Sequence, residues 1–193
     1  MFIRNWKKEI LTIPNLLSLF RLVLIPVYID IYLNATTPTQ YLLAGSILAV
    51  SCVTDIVDGQ IARHFHMVTT IGKVLDPLAD KATQFTLTVC LSLKYPVLLP
   101  VLALLILKET FQLIAMIVSY RNGKALPGAL LPGKFCTAVL FLSLIVIVLF
   151  PGLDPGLVTI LALTDGAFLV FSFTSYIFAY LGRHPKVEDI RHE

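Results

Sequence analysis

Residues 54–82 read TDIVDGQIARHFHMVTTIGKVLDPLADKA and place four aspartates, Asp55, Asp58, Asp76 and Asp80, between long runs of Leu, Ile and Val. A charged aspartate at the centre of a membrane helix costs about 2.5–3.5 kcal/mol, so four of them together approach about 10 kcal/mol. A hydrocarbon-rich chain that keeps four such acids close together needs a compensating reason. The acids are therefore the first candidates for a functional site.

The chain has the composition of a membrane protein. Of its 193 residues, 57% are hydrophobic and 14% are charged, whereas a soluble domain has about 25% charged residues. The apolar residues come in blocks of about 20, the length that crosses the bilayer core as a helix. We predict an all-α integral membrane protein with six transmembrane helices, over Thr12–Asn34, Tyr41–His64, Ile71–Lys94, Val97–Tyr120, Lys134–Phe150 and Gly156–Leu181.

The positions of Lys and Arg predict the orientation. The predicted outer connections hold only Lys94, and the other ends hold Arg4, Lys7, Lys8, Arg63, Lys73, Arg121, Lys124, Lys134, Arg183, Lys186 and Arg191. This positive-inside bias places both termini in the cytoplasm. Residues 1–11 are predicted to form a short amphipathic interfacial helix, residues 12–182 the six-helix domain and residues 183–193 a charged cytoplasmic tail. The net charge of +3 then indicates attraction to anionic lipid heads, and no nucleic-acid partner is expected.

The spacing of the aspartates predicts two facing pairs. Asp55 and Asp58 are three residues apart, and Gly72, Asp76 and Asp80 follow one another at intervals of four, so each set shares a helical face. A short turn makes the two helices antiparallel neighbours. Basic residues or protonation could neutralise the acids, but the bases nearby, Arg63, Lys73 and Lys81, are too few and too near the helix ends. Divalent cations with hard oxygen ligands, such as Mg²⁺, Mn²⁺ or Ca²⁺, fit four carboxylates better.

Two glycines accompany the acids, and their role stays open on the sequence alone. Gly59 follows Asp58, and Gly72 lies one turn before Asp76. Glycine within a helix costs up to about 1 kcal/mol relative to alanine, so each glycine needs a reason. Either the missing side chains leave room for a ligand against the backbone, or they allow two helices to pack tightly.

These residues together resemble a known family. The pattern Asp55-x2-Asp58-Gly59-x2-Ala62-Arg63-x8-Gly72-x3-Asp76-x3-Asp80 matches the signature of the CDP-alcohol phosphatidyltransferases at every position. The resemblance covers nearly the whole chain and implies a core of six transmembrane helices with a cytoplasm-facing site. The IPNLLSLFRL opening and the LDPLADK run look like the phosphatidylglycerophosphate synthase and cardiolipin synthase branches.

The resemblance implies a mechanism and roles for individual residues. Such enzymes displace CMP from a CDP-linked lipid with the hydroxyl of a second alcohol. Asp55, Asp58, Asp76 and Asp80 are then expected to hold two divalent cations, Mg²⁺ or Mn²⁺, with Asp80 also acting as the general base. The residues expected to bind the CDP-lipid are Asn15, Gly59, Ala62, Arg63 and Gly72. Arg63 would contact phosphate, and Gly59, Ala62 and Gly72 would form a shelf for the cytidine.

Three basic residues are candidates for binding the acceptor alcohol. Glycerol 3-phosphate carries close to two negative charges, and the basic residues that could receive it are Lys108, Arg121 and Lys134. Lys134 lies in GKFCT, which resembles a Gly-Lys-x-x-Thr feature of the family. Lys108-Glu109 stands where many phosphatidylglycerophosphate synthases have Arg-Glu, which keeps the charge but loses the bidentate geometry of arginine.

Phosphatidylglycerophosphate synthesis from CDP-diacylglycerol and glycerol 3-phosphate is therefore the first functional hypothesis. A CMP-forming cardiolipin synthase that uses phosphatidylglycerol is the alternative, and an inositol phosphate acceptor is a weaker one. A divalent-cation transporter or a non-catalytic membrane scaffold represents a different class. The resemblance also implies a homodimer, in a bacterial cell membrane with the active site facing the cytoplasm.

Two further charged residues, Arg21 and Asp165, lie within predicted membrane spans. Arg21 lies six residues after Asn15, only loosely on the same helical face, and could act as an ordinary anchor that reaches lipid phosphates. Asp165 in the sixth span receives no role, although neighbouring Thr164 is a candidate hydrogen-bond partner.

Overall fold

The computed structural model of the protein describes residues 12–64, 69, 71–121 and 131–181. This part of the chain contains six α-helices and no strand, which confirms the all-α prediction for it. The helices are α1 (Ile13–Leu33), α2 (Pro38–His64), α3 (Gly72–Lys94), α4 (Leu99–Arg121), α5 (Leu131–Leu149) and α6 (Pro155–Leu181), and a 3-10 turn, Pro96–Leu98, precedes α4.

The predicted helix positions agree with the structure, and no end differs by more than three residues. Within the described residues, three segments are long and apolar enough to cross a membrane: Ile13–Leu33, Pro96–Ser119 and Pro155–Tyr180. A shorter apolar segment covers Phe135–Leu149. The predicted interfacial helix at residues 1–11 and the tail at residues 183–193 lie outside the described residues.

Local sequence signals explain where these helices begin. Thr12 adopts an extended conformation and Pro14 occupies the first turn of α1, where its missing N–H costs no helical hydrogen bond. At the start of α6, the Asp154 carboxylate accepts the Gly156 N–H at 2.8 Å, as an N-cap residue does.

The chain forms two compact units. The first contains Met1–Leu93 and Ile145–Gly152, and the second contains Lys94–Leu144 and Leu153–Glu193. In the first unit α1 packs along α2, and Tyr32 stacks on Tyr28 and meets the edge of Tyr41 near the α1–α2 turn. These aromatic contacts fix the relative position of α1 and α2 at the end of α1 that is remote from Asn15.

Helix α3 carries polar groups through an apolar interior by bonding them to its own backbone. The buried hydroxyls of Thr83, Thr88 and Ser92 donate to the carbonyl oxygens four residues earlier, at 2.9, 2.8 and 2.6 Å. Because each of these hydroxyls is satisfied within the helix, it adds no unpaired polar group to the core.

The second unit is held by contacts between α4 and α6. The Phe111 ring meets the edges of Phe173 and Tyr180, with ring centroids 5.2 and 6.1 Å apart. Edge-to-face pairs of this kind add to the stabilisation from simple burial.

Candidate active site

Three polar residues of α1 form the buried floor of the candidate site. Asn15, Ser18 and Arg21 are exposed by only 2%, 0% and 2%. At 100° per residue they cover an arc of about 120° of the helix, so the three side chains can reach the same neighbouring helices. Burial of Arg21 differs from the expectation of a lipid-facing anchor.

Arg21 connects α1 to the aspartates of both α2 and α3. Its Nη1 atom lies 2.5 Å from Asp55 Oδ1 and 2.5 Å from Asp80 Oδ1. Its Nη2 atom lies 3.9 Å from Asp76 Oδ1. One guanidinium therefore draws together three of the four predicted acids, as charge-assisted hydrogen bonding favours.

Ser18 adds a neutral contact to the same cluster. Its hydroxyl donates to Asp76 Oδ1 and lies 3.0 Å from the carbonyl oxygen of Pro14 in its own helix. The sequence analysis assigned Ser18 no role. Its position three residues after Asn15, on a shared helical face, is a sequence signal that could have singled it out.

The cluster is buried on one side and open on the other. The Arg21 side chain is 3% exposed, whereas the side chains of Asp55, Asp76 and Asp80 are 45%, 38% and 52% exposed. The guanidinium therefore lies beneath the carboxylates, and the carboxylates remain accessible to a ligand from outside the protein.

The remaining residues of the predicted α2 motif are placed by their backbone only. Asp58, Gly59, Ala62 and Arg63 all belong to α2, which ends at His64. Their side chains lie outside the described part of the structure. The helical register still puts Asp58 one turn after Asp55, as the motif requires.

Gly72 is required by close packing against α1. An added Cβ at this position would lie 2.5 Å from Asn15 Oδ1 and 3.0 Å from Thr69 Oγ1. The Thr69 hydroxyl oxygen accepts hydrogen bonds from the Gly72 N–H and from Asn15 Nδ2, each at 2.9 Å. Of the two explanations for this glycine, the structure supports tight packing, since the Asn15 amide occupies the space beside it.

The basic residues considered for the acceptor belong to the second unit. Lys108 is 5% exposed, and its Nζ donates to Glu109 Oε1 at 2.8 Å. Arg121 is the exposed last residue of α4. Lys134 belongs to the first turn of α5, and its side chain lies outside the described residues.

Asp165 has a partner that the sequence did not reveal. The acid is fully buried, and Ser143 of α5 donates to its Oδ1 at 2.9 Å. Thr164, the candidate partner named from the sequence, does not bond Asp165; its hydroxyl donates to the Ile160 carbonyl at 2.9 Å within α6. The second oxygen of Asp165 has no hydrogen-bond partner among the described residues.

Comparison with known proteins identifies the family. Residues 11–177 match the family model described as CDP-alcohol phosphatidyltransferase. The chain belongs to the CDP-alcohol phosphatidyltransferase family. It is therefore a membrane transferase of phospholipid biosynthesis, and the transporter and scaffold hypotheses are set aside.

Curated relatives carry two names within this family. The chain is 31% identical to a CMP-forming cardiolipin synthase of Streptomyces coelicolor over 89% of this chain and 80% of that protein. It is 34% identical to the CDP-diacylglycerol–glycerol-3-phosphate 3-phosphatidyltransferase of Aquifex aeolicus over 70% of this chain and 74% of that protein.

Other relatives match over a smaller share of their length. A fusion protein of Schizosaccharomyces pombe, with cardiolipin synthase and mitochondrial hydrolase parts, is 36% identical over 65% of this chain. That match spans 20% of the fusion protein. A separate match spans 38% of a phosphatidyltransferase of Rickettsia bellii. The acceptor alcohol is therefore a separate question from family membership.

Proposed function

We propose that the protein transfers a phosphatidyl group from CDP-diacylglycerol to glycerol 3-phosphate, giving phosphatidylglycerol phosphate and CMP. The observation that carries this proposal is the meeting of Asp55, Asp76 and Asp80, from two helices, at one partly open position in a chain of this family. Carboxylates so arranged suit a reaction at a pyrophosphate, where negative charge must be offset as the leaving group departs.

The donor chemistry of the cluster fits divalent cations. Three described carboxylates face one guanidinium, which leaves a net charge of −2 at the cluster, and hard oxygen donors are the ligands that Mg²⁺ and Mn²⁺ prefer. No group of three His, Cys, Asp or Glu side chains among the described residues is arranged to hold a metal ion, and Arg21 Nη1 contacts both Asp55 and Asp80. Asp55, Asp58, Asp76 and Asp80 would hold two cations, which supply charge neutralisation at the pyrophosphate when bound.

The chain's own groups account for binding and proton transfer. Asp80 is the general base: its Oδ1 pairs with Arg21, and its second oxygen can accept the proton of the acceptor hydroxyl. The hydroxyl oxygen then forms a bond to the phosphorus that carries the diacylglycerol, and the bond from that phosphorus to the CMP oxygen breaks. Arg63 contacts phosphate in this proposal, Gly59 and Ala62 lie against the cytidine, and Gly72 contributes by leaving room for the Asn15 side chain.

Asn15 is assigned to the CDP moiety through its position. Its amide nitrogen is fixed by Thr69 and its oxygen lies over Gly72, so the side chain is held rigidly beside α3. A rigid amide beside the aspartates can orient a polar ligand without losing further conformational entropy.

Glycerol 3-phosphate is the proposed acceptor, by resemblance to the phosphatidylglycerophosphate synthases. A dianionic acceptor needs a cation, and Lys108 is one candidate, although its Nζ already pairs with Glu109. Arg121 and Lys134 are further candidates for contact with its phosphate. Phosphatidylglycerol, the acceptor of a CMP-forming cardiolipin synthase, is the second candidate, and the Streptomyces coelicolor relative supports it.

We further propose six membrane spans with both termini in the cytoplasm, in a bacterial cell membrane and with the active site facing the cytoplasm. The Lys and Arg distribution supports this topology, and the four apolar segments described above agree with it. A homodimer is proposed from the family resemblance alone.

One assay tests the proposed reaction. Purified protein is incubated with CDP-diacylglycerol and Mg²⁺ or Mn²⁺, and CMP release is followed with glycerol 3-phosphate, phosphatidylglycerol or inositol phosphate as acceptor. Release that depends on glycerol 3-phosphate is expected. Release only with phosphatidylglycerol would assign the second function, and no release with any acceptor would refute both.

A further inference from the structure

We propose that Arg21 is a built-in counter-ion of the aspartate cluster and that it sets how tightly the protein binds divalent cations. The inference rests on the proposed function, since it concerns the same aspartates. It makes Arg21 a positioning residue that acts on the reaction through Asp55 and Asp80.

The contacts show that Arg21 and a cation need the same oxygens. A single nitrogen, Nη1, lies 2.5 Å from one oxygen of Asp55 and 2.5 Å from one oxygen of Asp80. It therefore joins the acids of α2 and α3 as a bridging cation would. A divalent cation that takes these two oxygens must draw them away from the guanidinium.

Burial keeps the guanidinium in place. The Arg21 side chain is 3% exposed, against 45% and 52% for Asp55 and Asp80. Leaving an unpaired guanidinium in this position would bury a charge without compensation, which is strongly unfavourable. Arg21 therefore remains close when the acids bind another ligand.

The charge of Arg21 opposes cation binding throughout. A positive charge a few ångströms from a divalent cation repels it, and the repulsion is strong at a partly buried position. The arginine thus lowers the cation affinity of the cluster while it protects the folded protein from repulsion among its own acids. Both effects come from one charge, so a single substitution should move them in opposite directions.

The test compares Mn²⁺ binding and thermal unfolding in purified wild-type protein and the Arg21→Gln variant. Titration with Mn²⁺, followed by electron paramagnetic resonance, is expected to show affinity raised by at least about tenfold in Arg21→Gln. In the presence of a chelator the variant should unfold at a lower temperature than the wild type. Added Mn²⁺ should recover much more stability in the variant, as linkage requires of a more tightly bound ligand.

Three further variants separate charge from shape. Arg21→Lys keeps the charge, so its Mn²⁺ affinity should stay within about threefold of the wild type, since Coulomb repulsion depends on charge. The double variant Arg21→Gln with Asp80→Asn removes one charge of each sign and should recover stability in chelator. Lys94→Gln removes a positive charge from the last residue of α3, about 21 Å along the helix from Asp80, and should change neither measurement.

The opposite results overturn the proposal. Unchanged or weaker Mn²⁺ binding in Arg21→Gln would show that the guanidinium orients the ligands instead of competing with the cation. Equal affinity in Arg21→Lys and Arg21→Gln would show that charge is not the cause. An Arg21→Gln protein that folds only with Mn²⁺ would support the proposal. A double variant that is as unstable in chelator as Arg21→Gln would refute the proposal. A wild type without CMP release refutes the proposed function, while these binding and unfolding results still decide the role of Arg21.

Discussion

At the scale of single residues, Asp80 is the group on which proton transfer depends. Its carboxylate is held by Arg21 through one oxygen, and its side chain is about half exposed, so the acceptor can approach it. The asparagine variant preserves the shape and loses the basic carboxylate.

Asp80→Asn is therefore expected to lower turnover by about 100-fold to 10,000-fold, the usual contribution of a general base. Binding of the CDP-lipid should be largely retained. CMP release and CDP-diacylglycerol binding are the two measurements. Asp30→Asn, at an exposed acid that bonds Asn34, is the matched control and should behave as the wild type. Loss of lipid binding in Asp80→Asn would make Asp80 chiefly a metal ligand.

Gly72 offers a second test at this scale. An alanine here would place its Cβ 2.5 Å from Asn15 Oδ1, so Asn15 must move or the helices must separate. We expect Gly72→Ala to destabilise the protein by about 1–3 kcal/mol, a usual cost of overpacking, and to raise the KM for CDP-diacylglycerol.

The control for this variant is Gly152→Ala, because nothing lies within 4 Å of a Cβ added there. Its unfolding temperature and KM should match the wild type. Combining Gly72→Ala with Asn15→Ala should restore stability without restoring the KM. If Gly72→Ala alone changed neither the stability nor the KM, the close packing of Gly72 against Asn15 would be contradicted.

At the scale of elements, the Ser143–Asp165 hydrogen bond connects α5 to α6. Removing the hydroxyl leaves a fully buried acid with no described donor, and an unsatisfied buried polar group costs about 1–3 kcal/mol. Ser143→Ala should lower the unfolding temperature of the detergent-solubilised protein accordingly.

Thr164→Val is the matched control, since Thr164 bonds only its own helix among the described contacts. It should change the unfolding temperature little. A Ser143→Ala protein as stable as the wild type would show that Asp165 is satisfied in another way.

The helices themselves could be predicted because each is a long apolar run bounded by Pro, Gly or charged residues. The facing of Asp55 with Asp76 and Asp80 was also predicted, from i+3 and i+4 spacing on two adjacent helices. The pairing with Arg21 was missed because its spacing from Asn15 placed it only loosely on the same face. An arginine within an apolar span is itself a signal of function, and that signal could have found it.

The packing of Asn15 over Gly72 could not be predicted. Two residues 57 positions apart meet only when α1 and α3 have taken their places, and no local pattern reports such a contact. The partner of Asp165 was missed for the same reason, because Ser143 lies on another helix.

At the scale of the whole molecule, the six-span topology is the prediction with the widest reach. An odd number of spans would place the two termini on opposite sides of the membrane. Fused after residue 193, a fluorescent protein that folds in the cytoplasm should be bright, and alkaline phosphatase, which needs the periplasm, should be inactive. Fusions after Thr36, in the predicted outer connection, are the control and should give the reverse pattern.

The Arg21 contacts also bear on how the chain enters the membrane during synthesis. Helix α1 emerges from the ribosome before α2 and α3, and it carries a charge whose partners, Asp55 and Asp80, follow 34 and 59 residues later. At 5–20 residues per second, Asp80 emerges about 3–12 s after Arg21. Since a lone arginine in hydrocarbon is costly, α1 should stay at the bilayer surface or beside the insertion machinery until α3 arrives, and the three helices should enter the lipid together.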